Sequence, residues 1–187
     1  MRKTNAATGG KLLGLYLHIP FCVKKCAYCD FYSVTDASLK ADYTAALIRD
    51  IKAYGERCSG YTVDTVYIGG GTPTCLGADY LSRILQAVGA CFAIAENAEI
   101  TVECNPESTD QAVLEAMHEH GVNRLSFGVQ AAHDTELKRI GRIHDFAQAQ
   151  TANAGAVSRL GNAVFDVESA AFVVLRTQTG ACNTDGT

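Results

Sequence analysis

The feature that most constrains the fold of this chain is a regular alternation of strand-like and helix-like segments. Apolar or β-branched runs occur at residues 12–19, 62–68, 99–103 and 124–128, and apolar residues between them recur every three or four positions. Strands joined by helices pair in parallel through right-handed crossovers, so we predict an α/β fold. Ser108 or Thr109 is expected to cap the third helix. Periodicity leaves open whether the sheet is doubly wound or forms a barrel.

Composition excludes several classes of protein. With 187 residues, of which 48% are hydrophobic and 19% charged, the chain is expected to be one globular domain rather than disordered. A net charge of −4 argues against a nucleic-acid partner, because phosphates select basic surfaces. No apolar run approaches the ~20 residues of a membrane span, and the polar segment 1–11 does not resemble a secretory signal, so we expect a cytoplasmic protein.

Three of the eight cysteines crowd into one segment directly after the first strand. Cys22, Cys26 and Cys29 have the spacing C-x3-C-x2-C, and soft thiolate ligands suit an iron–sulfur cluster. Four irons and three cysteines would leave one iron open to a small molecule. Lys24 and Lys25 lie between these cysteines, where they would offset the negative charge of a cluster.

A structural zinc site is the alternative interpretation of the same cysteines. Zinc also accepts three thiolates and one imidazole, and His18 would be its fourth ligand. The spacing favours the cluster, because structural zinc generally uses a second ligand pair farther along the chain. The remaining cysteines are expected to be buried thiols and four histidines to be exposed: Cys58, Cys75, Cys91, Cys104 and Cys182, and His118, His120, His133 and His144.

Glycine-rich and polar residues follow the later strands. The segment 69–73 (GGGTP) comes after the second strand, where its backbone would approach a ligand and offer amides. Glu103 ends the third strand, Gln130 stands two residues after the fourth, and Arg142 lies one helix farther on. Because the carboxyl ends of parallel strands form one face, we expect these groups and the cysteines to share a ligand site.

The motifs at these positions resemble those of the radical S-adenosylmethionine enzymes. The runs LYLHIPFCVKKCAYCDF, YIGGGTPT, VECNPES and NRLSFGVQ are similar to the oxygen-independent coproporphyrinogen III oxidase group within that superfamily. The resemblance covers about residues 13–150. It implies a partial (β/α) barrel with about four recognisable β/α units and a site at the carboxyl ends of the strands.

The resemblance also implies cofactors and residue roles. Cys22, Cys26 and Cys29 would bind a 4Fe–4S cluster, and the amino and carboxylate groups of S-adenosylmethionine would occupy its open iron. In this superfamily an electron from the cluster cleaves the sulfonium, and the resulting 5′-deoxyadenosyl radical abstracts a substrate hydrogen. The positions that match contacts to S-adenosylmethionine are Tyr16, Tyr28, Gly70, Gly71, Thr72, Glu103, Gln130 and Arg142.

Within the group, two features resemble the haem chaperone (HemW) branch more than the oxidases. The oxidases have a fourth cysteine two positions after the third, where this chain has Phe31, and a longer segment ahead of the first strand. This branch implies binding of haem and its transfer to an acceptor protein, with a reductase as a further partner. The alternative is oxidative decarboxylation of a porphyrinogen, coproporphyrinogen III, in porphyrin biosynthesis.

The composition changes after residue 150. Only five of the 37 residues at 151–187 are charged, and the Gly-Leu-Pro turn that the family has in this region is missing. We therefore expect an N-terminal tail at 1–12, a radical S-adenosylmethionine core at 13–150, and an atypical tail at 151–187. That tail would be out of frame or disordered, with strand-like runs at 164–167 and 170–175, and would leave the barrel C-terminally truncated. An inactive fragment is thus a third functional alternative.

Overall fold

The computed structural model describes residues 11–160 and 163–166, in which strands and helices alternate. The strands are β1 (Lys11–Ile19), β2 (Tyr61–Gly70), β3 (Ala93–Cys104), β4 (Arg124–Gly128) and β5 (Ala163–Asp166). The helices are α1 (Lys40–Arg57), α2 (Ala78–Cys91), α3 (Gln111–Glu119), α4 (Asp134–Arg139) and α5 (Phe146–Leu160). Short 3-10 helices occupy Ala37–Leu39, Pro73–Leu76 and Pro106–Ser108. No helix in the described part of the chain is both long and apolar enough to cross a membrane.

The strands form one sheet in the order β1-β2-β3-β4-β5, and every neighbouring pair is parallel. A doubly wound sheet would reverse its strand order at a switch point. Here each strand lies beside the preceding one, which is the order of a (β/α) barrel. The α/β prediction is therefore confirmed, and the carboxyl ends of the strands meet on one face of a partial barrel.

The core lies between the sheet and the inner faces of the helices. The helices bury residues that recur at helical spacing, such as Leu81 and Ile84 in α2 and Met117 in α3. These side chains belong to the same buried cluster as Val102 and Leu125 of the sheet. Complete burial of one such side chain stabilises the fold by about 1.5–3 kcal/mol, so the core holds the strand ends in fixed positions.

The cap of α3 differs from the sequence expectation. Asp110 is the N-cap residue, and its Oδ1 accepts the Val113 amide at 2.9 Å. Ser108 and Thr109 are turned to other partners, because the Thr109 hydroxyl donates to the Asn105 carbonyl and Ser108 Oγ contacts Thr74 Oγ1. Three residues that could each cap a helix follow one another here, and the sequence alone could not choose among them.

The segment after residue 150 contains regular structure at its start. α5 runs across residue 150, where the composition changes, and β5 pairs in parallel with β4. The strand expected at 164–167 thus corresponds to Ala163–Asp166. The strand-like run at 170–175 lies outside the described residues.

Candidate functional site

The cysteine-rich loop after β1 is fixed at its ends and in its middle. Phe21 is buried and forms an isolated parallel bridge with Val34. The Cys22 amide donates to the Val34 carbonyl (3.0 Å), and the Ala27 amide donates to the Ile140 carbonyl (3.4 Å). The loop that carries the three clustered thiols is therefore joined to the segment that follows α4.

The glycine segment after β2 approaches the cysteine-rich loop too closely for a side chain. A Cβ on Gly71 would lie 2.6 Å from the Phe21 carbonyl oxygen, and Gly70 has a φ of +118°, which favours glycine. The Gly71 amide donates to the Ile19 carbonyl (2.8 Å), and the Thr72 amide donates to the Phe21 carbonyl (2.6 Å). These amides join the two loops, whereas the sequence suggested that they would face a ligand.

Glu103 ends the predicted third strand with its carboxylate held by two donors. The Tyr67 hydroxyl donates to Oε1 at 2.6 Å, and the Gly70 amide donates to Oε2 at 2.9 Å. Tyr16 stacks on Tyr67 with ring centroids 6.1 Å apart, and its hydroxyl lies 2.9 Å from His18 Nδ1. Burial and the nearby Glu103 carboxylate raise the pKa of Tyr16, so this hydroxyl stays protonated beside the carboxylate.

The backbone of Arg142 is positioned by the end of α4. Gly141 follows the helix with a φ of +84°. The Gly141 amide donates to the Lys138 carbonyl (3.2 Å), and the Arg142 amide donates to the Leu137 carbonyl (2.9 Å). This pair of hydrogen bonds is a Schellman motif, and it places Arg142 directly at the turn that holds the cysteine-rich loop.

The Arg142 guanidinium reaches three neighbouring segments. Its Nη2 donates to Asn105 Oδ1 (2.7 Å) and to the Gly128 carbonyl, and its Nη1 lies 3.5 Å from Cys26 Sγ. Asn105 Nδ2 in turn donates to Thr72 Oγ1 at 3.0 Å. Asn105 was not among the site residues expected from the sequence, although it lies in the VECNPES run that carries the family resemblance.

Gln130, just past β4, has a left-handed backbone with a φ of +72°. The Val129 amide donates to the Phe127 carbonyl and the Ala131 amide to the Val129 carbonyl, both at 3.0 Å. The second of these bonds closes a tight turn around Gln130, and the first closes one around Gly128. Strained conformations of this kind in non-glycine residues concentrate at ligand sites.

These segments enclose a cavity of about 320 Å³ at the carboxyl ends of the strands. Ten of the eleven residues expected from the sequence line it: Cys22, Cys26, Cys29, Tyr28, Gly70, Gly71, Thr72, Glu103, Gln130 and Arg142. Asn105, Lys24 and Lys25 also line the wall. Tyr16 lies outside the wall, beside Tyr67.

The cavity wall contains polar atoms with spare hydrogen-bonding capacity. Ser33 Oγ, Gln130 Oε1 and Arg142 Nε are buried and have no hydrogen-bond partner among the described residues. Buried polar atoms are generally paired, so three such atoms around one cavity indicate a polar ligand. The cavity volume is also that of a small-molecule site.

The structure does not place His18 where it would complete a zinc site with the three clustered thiols. Within residues 11–160 and 163–166, no three histidine, cysteine, aspartate or glutamate side chains are arranged to hold a single metal ion. His18 lies outside the cavity wall, and its ring nitrogens contact Tyr16 Oη (2.9 Å) and the Tyr32 carbonyl (3.3 Å). A zinc ion needs its ligands around one point, whereas the irons of a cluster are spread over several corners.

Two cysteines outside the cysteine-rich loop have raised pKa values. Burial raises the pKa of Cys75 to about 11 and raises the pKa of Cys104 still farther. Both side chains therefore remain neutral thiols at neutral pH and are poor metal ligands. Cys104 is fully buried as expected, but Cys58, Cys75 and Cys91 are only half-buried, and Cys182 lies outside the described residues.

His144 is buried, so the expectation that it is exposed was wrong. Its side chain is 0% exposed, with Nδ1 at 3.0 Å from Glu107 Oε2 and Nε2 at 3.1 Å from the Val129 carbonyl. Burial raises the pKa of Glu107, but hydrogen bonds from His144 and the backbone, with the Arg142 charge, lower it overall. Glu107 is thus a largely buried carboxylate with a partner. His118 and His133 are exposed as expected, and His120 is half-buried against Ser82.

Comparison with known proteins gives consistent matches. The family model described as the radical SAM superfamily matches residues 16–159. The heme chaperone HemW of Escherichia coli is 40% identical over 161 residues, which cover 83% of this chain and 42% of that protein. The heme chaperone HemW of a Synechocystis species is 41% identical over 147 residues, covering 73% and 35%. The chain thus spans about two fifths of the length of the curated relatives it matches.

A solved structure extends the match to the fold. Coproporphyrinogen III oxidase (HemN) from Escherichia coli, a radical SAM enzyme, has a TM-score of 0.78 with this chain at 28% identity. The superposition covers 84% of this chain and 37% of that one. The resemblance seen in the sequence is therefore confirmed. Because the family model matches most of its length, the chain belongs to the radical SAM superfamily.

Proposed function

We propose that the cavity holds a 4Fe–4S cluster on Cys22, Cys26 and Cys29 with S-adenosylmethionine beside it. Membership of the superfamily implies both groups, and the residue assignments are our inference. The observation that carries the proposal is a cavity wall that combines the three thiols of the cysteine-rich loop with the Arg142 guanidinium and the Glu103 carboxylate. When bound, the cluster supplies one-electron chemistry at an iron that lacks a cysteine ligand.

The charges of the wall suit a zwitterionic ligand such as S-adenosylmethionine. The Arg142 guanidinium lines the cavity, where it can pair with the ligand carboxylate, and Glu103 accepts from the ammonium group or the ribose hydroxyls. The Gln130 side-chain amide at the wall offers a further acceptor. Tyr28 presents an aromatic ring at the wall, against which the adenine can lie. Each group of the ligand thus finds a complementary side chain in one cavity.

For the complete protein that contains this chain, we propose haem binding and transfer to an acceptor protein, with a reductase as electron donor. Two relatives named heme chaperones, at 40% and 41% identity, support this function. Phe31, in place of the fourth cysteine of the oxidases, also supports it. The alternative is coproporphyrinogen III oxidation, which the likeness to the oxidase structure supports at a lower identity of 28%.

Anaerobic reconstitution tests the cluster assignment. The chain should take up about four irons and four sulfides, and replacing any one of the three clustered cysteines by alanine should reduce that content. Cys58→Ala is the matched control, because Cys58 is half-buried and lies outside the cavity wall. If Cys26→Ala retains as much iron as Cys58→Ala, the assignment is wrong. Stoichiometric zinc without iron would favour a structural zinc site instead.

Two assays on the complete protein separate the chaperone from the oxidase. In the first, the protein is titrated with haem and mixed with haem-free acceptor proteins. In the second, it is incubated with coproporphyrinogen III, S-adenosylmethionine and a reductant. Saturable haem binding with transfer, and no loss of substrate carboxyl groups, supports the chaperone. Conversion of two propionates to vinyl groups would support the oxidase.

A further inference from the structure

His144 is a buried group that joins two residues adjacent to the cavity wall, Glu107 next to the lining segment of Asn105 and Val129 next to Gln130, without lining the cavity itself. Its ring nitrogens lie 3.0 Å from Glu107 Oε2 and 3.1 Å from the Val129 carbonyl oxygen. A neutral imidazole has one N–H, so the ring donates to both oxygens only when both nitrogens are protonated. Such a partner stabilises Glu107, because removing most of a carboxylate from water is costly unless the charge is paired.

The Val129 contact supports the turn that presents Gln130. The Val129 carbonyl also accepts the Ala131 amide at 3.0 Å, across the left-handed Gln130 at a φ of +72°. A residue other than glycine keeps that backbone conformation only where the surrounding structure holds it in place. His144 supplies a second donor to the same carbonyl, from a different segment of the chain.

The Glu107 contact supports the side of the wall that holds Arg142. Glu107 lies in the 3-10 helix Pro106–Ser108, directly after Asn105. Asn105 Oδ1 accepts from Arg142 Nη2 at 2.7 Å, and Arg142 precedes His144 by two residues. His144 therefore connects the segment that carries Arg142 to two other segments. One contains Glu107 and Asn105, which orients the Arg142 side chain, and the other contains Val129, next to Gln130.

We propose that His144 is a positioning residue for S-adenosylmethionine, acting through the bridge from Glu107 to the Val129 carbonyl. The proposal rests on the proposed function for the identity of the ligand. His144 does not touch the ligand, because both ring nitrogens are bonded inside the protein and the side chain is 0% exposed. Its role is to fix the Gln130 amide and the Arg142 guanidinium in the orientation that binds the ligand.

His144→Gln tests the bridge, since one glutamine amide cannot donate to both acceptors in the place of the two ring nitrogens. Glu107→Ala removes the acceptor at the other end of the bridge. His120→Gln is the matched control, because His120 Nε2 contacts Ser82 Oγ at 2.7 Å, where α3 packs on α2 outside the cavity wall. Each chain is loaded with iron anaerobically, and the dissociation constant of S-adenosylmethionine is measured by equilibrium dialysis at equal iron content.

We expect His144→Gln and Glu107→Ala to weaken S-adenosylmethionine binding roughly tenfold to hundredfold, the range by which metal affinity or activity falls when a group that holds a ligating residue is lost. Their iron content should equal that of the control, because neither residue contacts a clustered cysteine. A merely structural role would lower the folded fraction without changing the affinity of the iron-loaded molecules. Equal affinity in His144→Gln and His120→Gln would overturn the proposal.

Hydrogen exchange of the cofactor-free chain separates failure of this proposal from failure of the proposed function. We expect amides at 129–131 to exchange faster in His144→Gln than in His120→Gln, because the turn has lost one donor. If no iron-loaded chain binds S-adenosylmethionine, the proposed function fails and the exchange comparison decides the positioning role. Equal exchange at 129–131 would refute that role with or without ligand binding.

Discussion

Replacing Gly71 by alanine tests whether the glycine segment is required by close contact between two loops. The added Cβ would lie 2.6 Å from the Phe21 carbonyl oxygen and 3.0 Å from the Ile19 carbonyl oxygen, where ordinary contact begins at 3.4 Å. Both neighbours are backbone atoms, so neither can rotate away. We expect the free energy of unfolding to fall by about 1–3 kcal/mol, the usual cost of overpacking.

Gly89→Ala is the control, and we expect it to change the free energy of unfolding in the opposite direction. Gly89 lies within α2, and a Cβ there would meet no described atom within 4 Å. Alanine should raise the free energy of unfolding by about 0.5–1 kcal/mol, since glycine is costly inside a helix. Both variants are compared with the parent by urea unfolding followed by circular dichroism. If Gly71→Ala is as stable as Gly89→Ala, the close-contact explanation of the glycine segment is refuted.

Three further changes test other contacts by the same unfolding measurement. Asp110→Ala removes the cap of α3 and should cost about 1 kcal/mol, whereas Thr109→Ala should not remove that cap. Phe127→Ala empties a fully buried position in β4 and should cost roughly 3–5 kcal/mol; a cost below 1 kcal/mol would contradict its place in the core. The pKa of Glu107 is lowered from 4.5, so its contribution to stability is present above that pH and is lost as the pH falls through the folded pKa. Glu107→Gln should therefore flatten the pH dependence of stability below pH 4.5, and an unchanged dependence would contradict this.

The strands and helices were predictable where side-chain periodicity is strong. α2 and β4 follow their apolar patterns, since both bury one continuous set of side chains. The prediction for β3 covered only 99–103, but the strand runs from Ala93 to Cys104. Its first half is rich in alanine and polar residues that do not favour strands, and only Ala93 and Ile94 of that half pair with β2 before the register shifts.

The sequence could predict which strand ends contribute residues to the site, but it could not predict the hydrogen bonds between those residues. The sequence indicated which residues share the cavity, because parallel strands place their carboxyl ends together. It could not indicate that His144 is buried, since its partners lie 37 and 15 positions away at Glu107 and Val129. The role of Asn105 was hidden for the same reason, because its partners Thr72 and Arg142 come from other loops.

The contacts between the cysteine-rich loop and the turn after α4 affect the order in which the chain can fold during translation. Each strand pairs with the one synthesised before it, so the sheet can grow in step with translation. The contacts from Ile140 to Ala27 and from Arg142 to Cys26, however, wait for about a hundred further residues, which takes roughly 5–20 s. We expect the clustered thiols of shorter nascent chains to react faster with alkylating reagents, until α4 emerges and closes the loop.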